Sequence, residues 1–153
     1  DSNAKVGTPA ANGRTPLHSA CQYGHATVAG LLLGGGAAID EPASGSKGRT
    51  PLAMASRAGQ LVAVQRLLEA HASVQATGED GWSPLHFACQ HGHRAVAEAL
   101  LRAGADAASA APEGWAPLHV AAQCGEEAVV AMLLPEGFSE CHLRAERHRV
   151  APR

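Results

Sequence analysis

The chain has 153 residues, of which 46% are apolar and only 3% aromatic, and its formal net charge is −2. Such a charge gives no general attraction to nucleic acid or to anionic lipid, and the longest apolar stretch is far too short to span a bilayer. Because so few aromatic side chains are available to fill one large core, the composition favours thin layers of helices packed on Ala, Leu and Val.

A tetrapeptide of the type T-P-L-H recurs along the chain, and a glycine lies two residues before each copy. These glycines are Gly13, Gly48, Gly81 and Gly114, so the copies are spaced by 35, 33 and 33 residues. A fixed period near 33 residues is typical of proteins built from stacked structural repeats. Such arrays form extended binding surfaces, so the period favours a binding function over a catalytic one.

Each copy predicts two short helices, and the third copy shows this most clearly. Ser83 can cap the first helix by accepting a backbone N–H, and Pro84 suits the first helical position. Gly92 ends this helix with a positive φ, and Gly104 ends the second helix. The apolar stripe of the second helix consists of Val96, Leu100 and Leu101. Neither helix is long enough to be stable alone, so neighbouring repeats must supply the missing burial.

A longer pattern surrounds each tetrapeptide. It reads G-x-T-P-L-H-x-A, then G-H, then L-L-x-x-G-A, and four tandem copies match it from Gly13 to Leu134. These segments resemble ankyrin repeats. The resemblance implies an all-α repeat fold, an ankyrin-type solenoid of helix-turn-helix units with projecting hairpin-like fingers. It also implies a function, since members of this family mostly bind other proteins.

The pattern divides the chain into six predicted segments. They are a remnant of a preceding finger or linker (1–12), repeat 1 with an enlarged finger (13–47), repeat 2 (48–80), repeat 3 (81–113), a truncated repeat 4 (114–134) and a divergent basic tail (135–153). Pro135 is expected to end the last helix early. The tail is interpreted either as a solvated extension or as a short docking or targeting element.

Several residues depart from the family pattern. Ala53 replaces the histidine of the tetrapeptide, and Gln60 and Glu126 replace the histidine of the G-H pair. Ala116 removes the helix cap of repeat 4, at an expected cost of about 1 kcal/mol. Two extra residues within 42–47 lengthen the first finger, and their small, polar composition predicts a mobile loop. Repeat 1 is apolar where a terminal repeat should be polar, so repeats 2 and 3 are expected to be the most stable.

The nine histidines and four cysteines do not predict a metal or cofactor site. The resemblance implies that His18, His86 and His119 are hydrogen-bonded to backbone between neighbouring repeats. A structural zinc site needs four Cys or His ligands at close spacing, which the remaining residues do not offer. Cys21 and Cys89 hold equivalent positions, and we expect them to be core fillers in a reducing, intracellular setting.

Signals for catalysis are weak. Ser44-Gly-Ser-Lys47 matches the S-x-x-K motif of some serine hydrolases, but a glycine-containing surface loop offers no pocket that would exclude water. Gly34-Gly-Gly36 lacks the Lys-Ser/Thr that follows in a phosphate-binding loop, so it marks the end of a helix. We therefore expect no enzymatic activity.

The positions that the repeat leaves free are the candidate partner-binding residues. The resemblance implies that the residue after each opening glycine faces the concave side of the array, as do the finger tips and the ends of the first helices. The first group is Arg14, Arg49, Trp82 and Trp115; the tips are Lys47, Glu79, Asp80 and Glu113; the helix ends are Gln22, Tyr23, Arg57, Gln90, His91 and Gln123. Tryptophan is not expected in the core at a position that two other repeats fill with arginine, and both residue types are enriched at binding hot spots.

This concave face is expected to change in character from a basic end to an aromatic end with an acidic rim. A partner that lies across repeats 2 to 4 would place an acidic or phosphorylated patch near Arg49 and Arg57. It would place apolar or cationic groups on Trp82 and Trp115.

The sequence leaves three functions open. The leading one is a monomeric protein–protein interaction module of a cytoplasmic or nuclear adaptor, scaffold or inhibitor, which binds neither nucleic acid nor membrane. The alternative is a substrate-recognition or regulatory segment of a larger multidomain enzyme complex, for example a ubiquitin ligase. The third is a structural spacer whose surface binds nothing.

Overall fold

Each T-P-L-H tetrapeptide begins a short α-helix whose first residue is the proline, where the missing backbone N–H costs nothing. The computed structural model describes residues 6–134. In this range the helices form four pairs: α1 (Pro16–Gln22) with α2 (Ala26–Gly34), α3 (Pro51–Ala58) with α4 (Leu61–Glu69), α5 (Pro84–Gln90) with α6 (Arg94–Arg102), and α7 (Pro117–Cys124) with α8 (Glu127–Leu133). The predicted all-α repeat fold is confirmed.

Three connecting segments, which we name the first finger (35–49), second finger (70–82) and third finger (103–115), join the helix pairs. The first helices of successive repeats contact one another more extensively than the second helices do. We call α1, α3, α5 and α7 the inner helices and α2, α4, α6 and α8 the outer helices. The inner helices and the fingers together define what we call the groove face.

A buried imidazole joins repeat 1 to repeat 2 and another joins repeat 3 to repeat 4. The Nε2 atoms of His18 and His86 lie 3.1 Å from the carbonyl oxygen of Arg49 and 2.8 Å from that of Trp115. On the other side of the His86 ring, Nδ1 accepts the backbone N–H of Ser83, so the neutral tautomer with a proton on Nε2 satisfies both contacts. The inter-repeat role implied for these two histidines is confirmed.

Repeat 2 lacks this imidazole because residue 53 is alanine. Here the hydroxyl oxygen of Thr50 accepts the Ala53 N–H at 3.2 Å, which caps α3 directly. In the equivalent place of repeat 3, the Ser83 hydroxyl lies 2.8 Å from His86 Nδ1. The imidazole is therefore an additional part of the cap that also reaches the next repeat.

A second row of hydrogen bonds joins the turns between the helices of each pair. His93 Nε2 lies 3.1 Å from the carbonyl oxygen of Arg57, and Gln60 Nε2 donates to the carbonyl of Gln22 at 3.3 Å. Gln60 thus replaces a histidine yet keeps the bond to the preceding repeat. Glu126 cannot do so, since a carboxylate has only acceptors to offer a carbonyl.

The core is a continuous row of small and aliphatic side chains along the array. Its largest members with no exposed surface are Leu17, Leu52, Leu67, Leu85 and Leu100. Cys21 and Cys89 lie in the same row and are fully buried, and burial raises the pKa of each thiol to about 12. The prediction that they are core fillers is confirmed.

The enlarged first finger is a closed turn and not the loose loop that its composition predicts. Residues Ser44–Ser46 form a 3₁₀ turn, and Ala43 pairs with Arg49 as a single antiparallel bridge. The Ala43 carbonyl accepts the N–H groups of Ser46 and Gly48 at 2.9 and 3.0 Å. Ala43 itself is fully buried, and Arg14 Nε donates to the Ser46 hydroxyl at 3.1 Å, so the turn is held against the start of repeat 1.

The first repeat exposes apolar side chains, as expected from its composition. In α2, which carries no charge, Val28 is 47% exposed, whereas the equivalent Val96 and Val129 are each 1% exposed. At the other end, α8 ends at Leu133 and Leu134 is extended. The predictions for Pro135, for the tail at 135–153 and for the start of segment 1–12 fall outside the described residues.

Candidate functional site

The groove face contains two adjacent hollows that share Arg49 as a common wall. The smaller, which we call the Arg57 hollow, has a volume of about 180 Å³ and is lined by Gln22, Arg49, Met54, Arg57, Ala58 and His91. The larger, which we call the Trp82 hollow, measures about 260 Å³ and is lined by Lys47, Arg49, Asp80, Trp82, Phe87 and Gln90. The fold therefore brings eight of the fourteen predicted partner-binding residues into these hollows.

Arg49 forms the wall between the hollows because two neighbours hold its side chain. One guanidinium nitrogen lies 3.2 Å from the Asp80 carboxylate, and the guanidinium carbon lies 4.7 Å from the centre of the Phe87 ring. Only 17% of the side chain is exposed. Arg49 is thus not the free cation that the sequence suggested, since Asp80, placed on an acidic rim by the same reasoning, neutralises it.

Trp82 is half-buried and packs on the core, where the sequence suggested an exposed side chain. Its ring centre lies 5.4 Å from that of Phe87 and 5.6 Å from that of His86. Trp115 is also half-buried and meets the His119 ring edge-on at 6.2 Å. Both tryptophans therefore cover the core, and Trp82 also contributes surface to its hollow.

Arg57 and Lys47 supply the unpaired positive charge of the two hollows. Both are exposed, and within residues 6–134 neither side chain takes part in an ion pair. His91 lies beside Arg57, and its pKa is lowered by burial first and then by the charges of Arg57 and His93, with Glu126 opposing. His91 is therefore neutral at pH 7, and the Arg57 hollow carries the charge of its arginine.

Two buried polar atoms around the Arg57 hollow lack a hydrogen-bond partner in the described part of the chain. They are Oε1 of Gln22 and Nε of Arg49. Buried polar groups in proteins are nearly always hydrogen-bonded, and leaving one unpaired costs free energy. Both atoms belong to side chains that line the hollow.

The remaining six predicted residues line neither hollow. Arg14 donates from Nε to the Ser46 hydroxyl at 3.1 Å, which ties it to the enlarged finger. Tyr23 is 64% exposed at the end of α1. The others are Glu79, Glu113, Gln123 and Trp115, of which the first three are exposed.

Met54 and Phe87 are groove residues that the sequence reasoning missed. Each lines one hollow from an inner helix, with 4% and 2% of its surface exposed. Both occupy the variable position of T-P-L-H-x-A, which Ser19 and Val120 fill in the other repeats. A comparison of this one position across the four repeats would have identified both residues as candidates.

The described range offers no cluster of side chains that could hold a metal ion. Between residues 6 and 134, no group of three or more His, Cys, Asp or Glu side chains is placed to hold a metal ion. Ser44 of the S-x-x-K match lies exposed on the 3₁₀ turn, and Lys47 follows it in the left-handed conformation. None of the helices described could extend across a membrane.

Comparison with known proteins supports the repeat assignment. A family profile described as ankyrin repeats (3 copies) matches residues 2–77 and 63–145. A search of curated proteins found no match to the chain. Ankyrin repeats are in general protein–protein interaction modules and in general non-catalytic. Since the two matches span nearly all of the sequence, the chain belongs to the ankyrin repeat family.

Proposed function

We propose that this chain is a non-catalytic protein-binding module whose partner occupies the groove face of repeats 2 and 3. The observation that carries the proposal is the pair of hollows beside Arg49, with unpaired cations at Arg57 and Lys47. In this account the module serves a cytoplasmic or nuclear adaptor, scaffold or inhibitor. It acts as a monomer and does not bind nucleic acid.

The composition of the hollows supports protein binding. Trp82, Phe87 and Met54 form the apolar floor of the hollows. Long polar side chains, among them Lys47, Arg57 and Gln90, surround this floor. Interfaces combine such apolar centres with a polar rim, and Trp and Arg dominate their binding energy. Because Arg49 is already held by Asp80, the site needs little rearrangement of this side chain on binding.

The outer face of the array offers less to a partner. Its charges are largely paired, with Arg94 bonded to Glu98 at 3.1 Å and Arg66 near Glu69 at 4.0 Å. A hollow between α4 and α6 is shallow and widely open to solvent. Pre-paired surface charges gain little from an added ligand, so we expect them to contribute less to binding.

Affinity capture from cell extract tests the proposal if charge on the two faces is varied separately. The bait is the 153-residue chain, compared with a Lys47→Gln/Arg57→Gln variant of the groove face. A matched Arg66→Gln/Arg102→Gln variant removes two exposed arginines from the outer helices. Circular dichroism and thermal unfolding confirm that all three fold alike.

We expect a set of proteins that the unmodified and outer-face baits retain and the groove-face bait loses. Equal retention by all three baits would place the binding site away from the groove face. The apolar surface of α2 around Val28 and Leu31 would then be the next surface to test.

A further inference from the structure

We propose that the Arg57 hollow receives one carboxylate side chain, from Asp or Glu, of the bound protein. The inference rests on the proposed function and specifies the chemistry of one contact within it. It follows from three properties of the hollow: its charge, its unsatisfied hydrogen-bonding atoms and its size.

The charge of the hollow favours an anion. Two arginines line it, and only one of them has its charge balanced, since Asp80 pairs with Arg49 while Arg57 pairs with no described residue. His91, the third titratable residue of the lining, adds no charge at neutral pH because burial and the neighbouring Arg57 lower its pKa. One unbalanced positive charge therefore faces the hollow.

The unsatisfied atoms favour a ligand with two acceptor oxygens. Arg49 Nε–H is a buried donor without a partner, and the Arg57 guanidinium has free donors. A carboxylate can accept from the Arg57 donors directly, and from Arg49 Nε–H after that side chain turns toward the hollow. Charge-assisted hydrogen bonds of this kind are the stronger ones. The Gln22 amide also lacks a partner at Oε1, and a half-turn of the amide presents its NH₂ group to the same carboxylate.

The size of the hollow fits a side chain and not a larger molecule. Its volume of about 180 Å³ exceeds that of several waters, of about 30 Å³ each, and lies below the 300–1,000 Å³ or so of small-molecule sites. Met54 and Ala58 offer apolar surface to the methylene groups of an aspartate or glutamate. A phosphate carries up to two charges and three acceptor oxygens, more than one free guanidinium balances.

A titration followed by NMR tests the inference without knowledge of the partner. The probe is N-acetyl-glutamate N-methylamide, added to the full chain labelled with ¹⁵N. The signals are the Nε–Hε groups of Arg49 and Arg57 and the side-chain amide of Gln22. The neutral control probe is N-acetyl-glutamine N-methylamide, and capped phosphoserine is the third probe.

We expect saturable shifts of these three signals with the glutamate probe at millimolar concentration. The glutamine probe should bind about tenfold more weakly, because it lacks the charge that Arg57 attracts. Arg57→Gln should abolish the shifts, while Arg57→Lys should keep a part of them and Arg102→Gln should change nothing. Because Arg57 is exposed, none of these variants is expected to alter the fold.

Three results would overturn the inference: shifts that do not saturate, equal binding of the glutamine probe, or phosphoserine binding far more tightly than glutamate. The titration and the capture experiment can fail separately. Charge-dependent capture without probe binding would leave the groove face as the interaction surface but reject a carboxylate in this hollow. Probe binding without charge-dependent capture would reject the proposed function and leave only a carboxylate site.

Discussion

Arg49 and Asp80 form an ion pair of 3.2 Å between the ends of two successive fingers. The pair ties down the second finger, which receives no imidazole-to-carbonyl bond because residue 53 is alanine, whereas His18 and His86 make such bonds to the first and third fingers. Between the same two fingers, Glu79 N–H donates to the Lys47 carbonyl at 2.7 Å. The contacts that replace a missing histidine therefore also shape the groove face.

Replacing His86 by alanine should destabilise the array more than the same change at His119. His86 is 1% exposed and bonds to Ser83 and to the Trp115 carbonyl, whereas His119 is exposed and receives only the Ala116 N–H. Loss of the buried bonds should cost about 2 kcal/mol, against less than about 0.5 kcal/mol at the exposed site. Urea unfolding followed by tryptophan fluorescence measures both, and equal losses would contradict the assigned role.

Stability should fall as the pH is lowered below about 6.5, the ordinary histidine pKa. Burial, as the largest cause, lowers the pKa of His18 and of His86 in the folded chain. Below pH 6.5 the unfolded chain takes up protons that the folded chain does not, so the free energy of unfolding decreases until the folded histidines titrate.

Urea unfolding between pH 7.5 and pH 5 measures this dependence. The control is His86→Gln, which removes one of the two buried imidazoles and should therefore flatten the slope. A slope that is the same in the variant and in the unmodified chain would show that other groups cause the pH dependence.

Gly45→Ala and Gly30→Ala should have opposite effects on stability. A Cβ at Gly45 would collide with the backbone carbonyl of Asn12, so the first finger would have to shift and stability should fall by about 1–3 kcal/mol. A Cβ at Gly30 in the exposed part of α2 meets nothing, and alanine should stabilise that helix by about 0.5–1 kcal/mol. Thermal unfolding of both variants shows whether each substitution raises or lowers stability, and destabilisation by Gly30→Ala would contradict the prediction.

Ala116→Ser should stabilise repeat 4. Ala116 has the extended backbone of a helix cap but lacks the hydroxyl that Ser83 and Thr50 provide in the same place. The added cap should contribute about 1 kcal/mol. Amide hydrogen exchange of the unmodified chain should show α7 and α8 less protected than α3 to α6. The variant should reduce this difference in protection. Uniform protection from Thr15 to Leu134 would contradict this.

Much of the fold could be predicted because its signals are local. A helix start is indicated by a proline at the first helical position and a capping residue before it. A helix end is indicated by a glycine such as Gly92, whose φ is 69°. Each of these signals lies within a few adjacent residues. The period then places equivalent residues such as Cys21 and Cys89 in one row. The first finger departs from prediction since its turn is closed by hydrogen bonds to Ala43 and by the burial of that residue, which a count of small polar residues does not reveal.

The sequence predicted which positions contribute to the groove face, but it did not predict how their side chains pair or how far they are buried. The pairing of Arg49 with Asp80 joins residues 31 apart, and it depends on the register of two fingers. The burial of Trp82 depends on Phe87, which lies five residues later on an inner helix. Charges counted along the sequence therefore overstated the basic character of repeat 2, where Arg57 and not Arg49 carries the free charge.

The central claim is that a protein partner binds the groove face through the charge of Arg57. The most direct test is calorimetric titration of a captured partner into the unmodified chain, into Arg57→Gln and into Arg102→Gln. Both variants remove one exposed arginine, from the groove face and from the outer helix α6 respectively. The account predicts a loss of affinity of about tenfold or more for Arg57→Gln and of less than about twofold for Arg102→Gln. Equal affinities for all three chains, or a greater loss for Arg102→Gln, would contradict it.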